Sequence, residues 1–348
     1  MRAMVVRRYG PPEVFEAKEV RDPQPKPGEV LIRVKAVGVN FADLLQRMGV
    51  YPGTPKPPFI PGLEVAGVVE KVAEAPEGSR ASEGEPLKRG DAVAATTHFN
   101  AYAEWVAVPA RSTYLLPAGM SFEDGAAIPV NYLTAHHSMF TMGNLQPGDR
   151  ILIHGAAGGV GIAAVQLARA RGLVIFGTAG PAKQEYLRKI GVDHAIDHQK
   201  SDFVTVVRKF APDGIEMVMD AIGGKSFARS RQCLGPMGRL VVYGFSAAAG
   251  PDGKKHMLRA GKALLEMPRF HPLKLMSGNI SVIGVSLGGC LQSRGAVLRG
   301  ELDEIFRMYT AGKIKPVIGK TFPLTEAAAA HRYIQERKNI GKVILAVK

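Results

Sequence analysis

Residues Arg150 to Arg169, RILIHGAAGGVGIAAVQLAR, read as a buried strand, a glycine turn and a helix in immediate succession. Ile151 to Ile153 supply the apolar run, and Gly155, Gly158, Gly159 and Gly161 let the backbone turn sharply and come close to a ligand. From Val160 to Ala170 the residues favour helix, with Arg171-Gly172 as a basic last turn and a stop. A helix starting at such a turn offers unpaired amide N–H groups and the positive end of its dipole to an anion. Ala156, Gly158 and Gly161 occupy the three glycine positions of the G-x-G-x-x-G fingerprint, so the first has become alanine. A dinucleotide pyrophosphate suits this layout, with Ala157, Gly158, Gly159, Val160 and Gly161 as contact candidates. A glycine turn with no ligand would share the pattern.

Downstream, strands and helices alternate at the spacing of βαβ units: LVIFGT, HAID, IEMVMDAI, RLVVYG and ISVIGVSL follow ILIH. The pattern predicts a doubly wound parallel sheet. Upstream, from Met1 to about Tyr114, short β-type runs (VLIRVKAVGV, AGVVEKVA, DAVAATT, YAEWVAVP) are broken by Pro and Gly, which predicts a β-rich domain. Ala73 to Arg89 is polar and without periodicity, and reads as an exposed loop. Beyond a helix near Ala296 to Thr310, the string KVILAV returns to β-type patterning, so the C-terminus is expected to complete the N-terminal domain.

At 348 residues and 46% hydrophobic content the chain can bury large cores, at about two domains. No run approaches the roughly 18 apolar residues of a membrane span, and MRAMVVRRYG lacks the apolar segment of a signal peptide, so cytoplasmic residence is expected. Cys233 and Cys290, the two cysteines, have no CxxC partner, which excludes a cysteine-rich zinc site and fits a reducing compartment. The net charge of +14 comes from scattered Lys and Arg, without zinc-finger spacing or an RNP-like string, which argues against nucleic acid as a partner. Within Ala247 to Ser277 basic residues accumulate (Lys254, Lys255, His256, Arg259, Lys262, Arg269, Lys274), consistent with a solvated helix and loop, with a lid, or with contact to an acidic membrane surface.

A β-rich first domain, a glycine-turn nucleotide domain and a terminal GKVIL string together resemble the medium-chain dehydrogenase/reductase superfamily over essentially the whole chain. VGVNFADLLQRMGVYP, PFIPGLEVAGVV, AAGGVG and NIGKVIL resemble its zinc-free quinone oxidoreductase branch. VNYLTAHHSMF, GNLQPGD, FGTA, PMGRLVVYG and IKPVIG look like the group that contains the synaptic vesicle membrane protein homologue. The resemblance implies an α/β protein: a GroES-like β-rich catalytic domain (residues 1–128 and 287–348) plus a Rossmann doubly wound parallel-sheet domain binding NADP(H) (residues 129–286). It also implies a homodimer through the last strand of the nucleotide domain, Ile280 to Leu287.

Metal-dependent relatives supply a Cys in the turn after the second strand and a His in GHE; here those positions are Asn40 and Leu63. Leucine cannot bind metal and asparagine is a poor substitute for thiolate, so no metal site is expected. Glu64 remains, as an isolated ligand candidate or an ion-paired structural residue. After the second nucleotide-domain strand no acidic residue is available for a ribose 2′-hydroxyl; FGTAGPAK offers Thr178, small residues and Lys183, which suits a 2′-phosphate. Lys183 corresponds to the lysine that quinone oxidoreductases place on that phosphate, with Arg188 as a helper, and a surface lysine is the plainer alternative. His198 stands where a tyrosine is common. Further cofactor contacts implied by position are Asn40 and Thr134 near the nicotinamide, Gly223, the run Gly244, Phe245, Ser246, and Asn339 with Lys342. Asp220 either meets ligand at the sheet's carboxyl edge or caps the following turn.

Without zinc, charge developing on an acceptor oxygen must be met by hydrogen-bond donors, and Tyr51 and the amide of Asn40 are the catalytic candidates. Tyr51 could equally be a packing aromatic. Quinones and conjugated enones accept hydride readily, so they are the expected substrates. A protein that binds NADPH and a membrane or partner, with little reductase activity, is the alternative. Asp43 and Arg47, at i,i+4 in FADLLQRMG, have the spacing of a helix-surface ion pair. His136 and His137 read as structural residues.

Overall fold

In the computed structural model, which describes residues 1–73, 86–249 and 256–348, the short N-terminal runs become β1 (Arg2–Val6), β2 (Phe15–Glu19), β3 (Glu29–Val39), β4 (Glu64–Val72), β5 (Ala92–Thr96), β6 (Trp105–Pro109) and β7 (Thr113–Leu115). Helix α1 (Phe41–Met48) interrupts them between β3 and β4, stopped by Gly49 in the left-handed region at φ 73°. Most of the segment read as an exposed loop, residues 74–85, lies outside the described residues. Helices α2 (Phe122–Ala127) and α3 (Pro129–His136) then lead into the glycine-turn region.

That region alternates as its pattern predicts: β8 (Arg150–Ile153), α4 (Gly159–Ala170), β9 (Val174–Ala179), α5 (Gln184–Lys189), β10 (His194–Asp197), α6 (Phe203–Phe210), β11 (Ile215–Asp220), α7 (Lys225–Arg231), β12 (Leu234–Val242), α8 (His256–Leu265), α9 (Pro272–Gly278) and β13 (Ser281–Gly284). The last strand is shorter than the run Ile280 to Leu287, because pairing with β12 ends at Val242 opposite Gly284 and the chain turns into α10 (Leu287–Ser293). Next come α11 (Gly295–Thr310), β14 (Ile318–Pro323), α12 (Ala327–Gln335) and β15 (Lys342–Ala346).

Two large sheets result. Among the described residues, β10-β9-β8-β11-β12-β13 form a six-stranded sheet with every pairing parallel. Parallel strands buried on both faces need continuous apolar runs, which Ile151, Leu152, Ile153, Met217, Val218 and Met219 provide at 0% exposure. From β8 the chain crosses to β9 on one side and later to β11 on the other. The carboxyl ends of β8 and β11 therefore flank a topological switch point, where open α/β sheets bind ligands.

The second sheet, β14-β15-β3-β4-β5-β7 with β6 also on β3, joins strands of the N-terminal region to the C-terminal strands, while β1 and β2 pair separately. β15 lies between β14 and β3, pairing Val343 with Val39 and Leu345 with Val37, so the C-terminal string completes the N-terminal sheet. Val37, Val65, Val343 and Leu345 share one buried core. Leu302, Ile305 and Phe306 of α11 pack instead with Ile151, Val165 and Leu133, in the core beneath the parallel sheet.

Candidate active site

The glycine turn closes through its own backbone. Gly155 sits at φ +65°, a left-handed conformation that favours glycine, and Gly158 N–H donates to Gly155 O at 2.9 Å before α4 begins. A Cβ on Gly161 would lie 2.3 Å from Gly155 O and 2.6 Å from Ala156 Cα, so only glycine lets the helix pack this tightly on its turn. Gly159 likewise leaves no room for a Cβ, which would meet Asn131 Nδ2 at 2.5 Å.

Thr178 braces this turn from behind. Its carbonyl accepts from Ala156 N–H at 3.0 Å, while its hydroxyl oxygen lies 3.3 Å from Gly155 N and 3.1 Å from His154 Nδ1. The buried side chain is thereby engaged with the protein rather than free for a cofactor. His154 continues to Ser230 Oγ at 3.0 Å, and Ser230 and Ser226 each donate to Asp220 Oδ2 at 2.7 Å. Asp220 Oδ1 accepts from Ile222 N–H at 2.7 Å and Gly223 N–H at 3.3 Å, so Asp220 caps the turn after β11, the second of its two readings. Burial holds the His154 imidazole below its ordinary pKa, keeping it neutral against the buried carboxylate.

Around the carboxyl edge the structure gathers candidates far apart in sequence. Ser246 N–H donates to Ala221 O at 2.9 Å, and a Cβ on Gly223, at φ +84°, would strike the Phe245 ring at 2.6 Å; Gly223, Gly244, Phe245 and Ser246 thus form one wall. Phe245 and Tyr51 both pack against the buried group of Leu45, Ala248 and Ala260. On the other side, Lys183 Nζ donates to Asn339 O at 2.5 Å. Its pKa is lowered by burial first and then by the nearby Arg337 charge, so two cations share the end of β9. Arg337 was not among the sequence candidates; it comes from a turn after α12 that only tertiary folding brings to Lys183. His198 is exposed at the end of β10, its N–H donating to Ala179 O at 3.3 Å.

The C-terminal segment ties the two sheets together at this point. Gly341 N–H donates to Ala157 O at 2.9 Å, and Gly341 pairs with Gly158 in an isolated parallel bridge. The next residue, Lys342, is buried: its ammonium donates to Asn40 Oδ1 at 2.7 Å and to Glu64 Oε1. Asn40 Nδ2 donates to Glu64 Oε1 at 2.8 Å and to Gly38 O at 3.2 Å, while Glu64 Oε2 accepts from Val130 N–H at 2.8 Å. Three adjacent strand ends, of β3, β4 and β15, position this group. A buried ion pair is tolerable only when so fully hydrogen-bonded. Glu64 is therefore the ion-paired residue, and Lys342 is committed to it. Both Asn40 amide hydrogens are used, so Asn40 holds no spare donor for an acceptor oxygen.

Thr134, on α3, is 8% exposed. Tyr51 is half-buried after α1, with its backbone carbonyl accepting from Thr54 N–H and Oγ1–H. Burial, with the Asp43 charge second, raises its phenol pKa, so it stays protonated at neutral pH.

Asp43 and Arg47 do not form a surface ion pair. Both are fully buried: Asp43 Oδ2 accepts from Asn40 N–H at 2.9 Å and from Tyr102 OH at 3.0 Å, closing one half of a capping box. Arg47 donates to Gly10 O at 3.0 Å and Gln335 Oε1 at 3.0 Å, with His331 Nδ1 3.3 Å away. The i,i+4 spacing indicates a shared helix face, but packing of α12 and the Tyr102 segment over that face decides the partners.

Among the described residues no group of three or more His, Cys, Asp or Glu side chains could hold a metal ion, and no helix is long and apolar enough to cross a membrane. Residues 26–118 match the family model of the alcohol dehydrogenase GroES-like domain, and residues 190–345 that of zinc-binding dehydrogenases. The chain is 40% identical to the synaptic vesicle membrane protein VAT-1 homolog of Danio rerio, spanning 100% of this chain and 70% of that relative. It is 31% identical to the quinone oxidoreductase of Rattus norvegicus, over 99% of this chain and 97% of that one. The crystal structure of Escherichia coli quinone oxidoreductase complexed with NADPH superposes with a TM-score of 0.85 at 28% identity, over 99% of this chain and 100% of the other.

Proposed function

The chain belongs to the medium-chain dehydrogenase/reductase superfamily, close to the VAT-1 group, and from that premise we propose that it reduces quinones or conjugated enones with NADPH and without zinc. Its cofactor is NADP(H), which supplies the hydride. The observation that carries the reading is Lys183, held on Asn339 O just after β9 with the Arg337 charge nearby, at a strand end that has no acidic residue. A half-buried lysine with the charge of exposed Arg337 near it favours a phosphate over a ribose hydroxyl. Gly158, Gly159, Gly161 and the amino end of α4 would hold the pyrophosphate, and the wall from Gly223 to Ser246 would close the crevice.

The zinc-free part of the proposal is supported by Lys342. An ammonium already fills the space between Asn40 and Glu64, so the carboxylate has a cation and its oxygens have partners. Asn40 then acts as a positioning residue, and Tyr51, protonated and packed against the same buried group as Phe245, is the proton donor to the acceptor. Without a Lewis acid, activated acceptors fit best.

Turnover of a panel of quinones, enones and aldehydes, with NADPH and NADH in parallel and metal content measured on the same preparation, tests this reading. Lys183→Ala should raise KM for NADPH about tenfold and leave NADH almost unaffected. A strong NADH preference in the unaltered protein, or stoichiometric zinc, would overturn it.

A second reading is favoured by α8 and α9. Leu258, Leu264, Leu265, Leu273 and Met276 are 58% to 89% exposed there, among Lys262, Arg269 and Lys274. Apolar side chains ringed by cations suit an acidic membrane surface. Salt-sensitive sedimentation with anionic liposomes, together with negligible quinone-dependent NADPH oxidation, would favour membrane association over catalysis.

A further inference from the structure

Away from the crevice wall, the junction of α3 with α10 and α11 holds a second group of reactive side chains. The chain leaves α3 through a wide turn over His137–Thr141, in which Met142 N–H reaches back five residues to His137 O at 2.8 Å. Single π-turns are frequent at functional sites. Here the turn brings His137 and Thr141 to one carboxylate: His137 Nδ1 lies 2.8 Å from Glu301 Oε1, and Thr141 Oγ1 donates to the same oxygen at 2.5 Å. Glu301, from α11, is 6% exposed. On the far side of the ring, Cys290 Sγ of α10 lies 3.9 Å from His137 Nε2.

Thiol, imidazole and carboxylate thus stand in series, although they are far apart in sequence. An ionised carboxylate only accepts, so Nδ1 carries the imidazole proton and Nε2 presents its lone pair to the thiol. This is the relation of a nucleophile, its base and the group that orients the base. His137 is buried while Cys290 is half-buried, so the series is approached from the Cys290 side. α10 follows directly on β13, and Val285 N–H donates to Val242 O at 3.0 Å, which sets Cys290 near the carboxyl edge of the parallel sheet.

We propose that Cys290, with His137 as base and Glu301 as positioning residue, is a covalent modification site for soft carbon electrophiles of the α,β-unsaturated carbonyl class. His137 Nε2 takes the thiol proton as sulfur attacks the β-carbon. The C–S bond forms, the C=C π electrons move toward the carbonyl oxygen, and the resulting enolate recovers the proton from His137 at its α-carbon. The addition neither oxidises nor reduces the protein, and needs no cofactor. Selectivity is built in, because Cys233 is buried and its thiol is pushed up to about 12 by that burial.

Native protein treated with N-ethylmaleimide or methyl vinyl ketone, without NADPH, should gain one adduct, mapped to Cys290 and absent in C290S. H137Q should slow the addition at least about tenfold. Cys233, labelled only in urea, reports that each variant is folded; should H137Q label there natively, E301Q carries the comparison with the same expectation. Equal rates in the unaltered and variant proteins, or a native adduct on Cys233 alone, would overturn the proposal. Quinone-dependent NADPH oxidation by C290S, expected unchanged, keeps failure of this site distinct from failure of the hydride reading.

Discussion

On the buried face of α1, beneath Tyr102, the Asp43 carboxyl is pushed up to about 7, chiefly by desolvation, which outweighs the hydrogen bond from Asn40 N–H and the charge of Lys342. Its Oδ1 has no hydrogen-bond partner among the described residues, as a neutral acid tolerates better than a carboxylate. The folded chain therefore binds this proton more tightly than the unfolded chain does. The contribution to stability is complete below about pH 4 and is lost as pH rises toward 7, by at most about 4 kcal/mol. Urea unfolding of D43N and the unaltered protein at several pH values checks this: the stability difference should drift across that window and level off above it, and parallel profiles would contradict it. For Tyr51, the phenol that burial keeps protonated, replacement by Phe should lower quinone turnover about tenfold or more while thermal stability holds. Unchanged turnover would return Tyr51 to the packing role that its place against the Leu45, Ala248 and Ala260 group also allows.

At the scale of elements, the strand, turn and helix around Gly155 to Gly161 were legible because all of their determinants are local: apolar run, positive-φ glycine, helix-favouring residues. Gly161→Ala should displace α4 from its turn, since the new Cβ would meet backbone rather than a yielding side chain. The expected cost is about 1–3 kcal/mol of stability with a larger loss of NADPH affinity, measurable by unfolding and fluorescence titration. Thr178 and Lys342 were legible as positions but not as roles. Each is a polar side chain whose partner lies on another strand, and the sequence carries no mark of that partner. The same holds for Arg337 beside Lys183, and for α1, whose Asp43 and Arg47 face neighbours contributed by residues 102, 331 and 335.

Across the whole molecule, the sheet that takes in the C-terminal strands β14 and β15 meets the parallel sheet where Gly341 bridges to Gly158. The candidate site therefore lies at a seam, with the glycine turn from one side and Asn40, Tyr51 and Lys342 from the other. β13 is the edge of the parallel sheet, with no strand on its outer side among the described residues, and pairing with its copy in a second subunit would cover that edge. Analytical ultracentrifugation should show a dimer at micromolar concentration, and a Pro at Val282 should shift it toward monomer. A monomer at all concentrations would remove the dimer from consideration.

Periodicity and turn chemistry are properties of neighbouring residues, and so the sequence alone determined the β-rich and alternating regions, the glycine turn between β8 and α4 and the lack of an acidic residue directly after β9. Partnerships across the fold depend on which strand ends come side by side. Only the tertiary structure decided that Lys342 neutralises Glu64, that Arg337 joins Lys183, that Asp43 is buried beneath Tyr102, and that Cys290 meets His137 and Glu301.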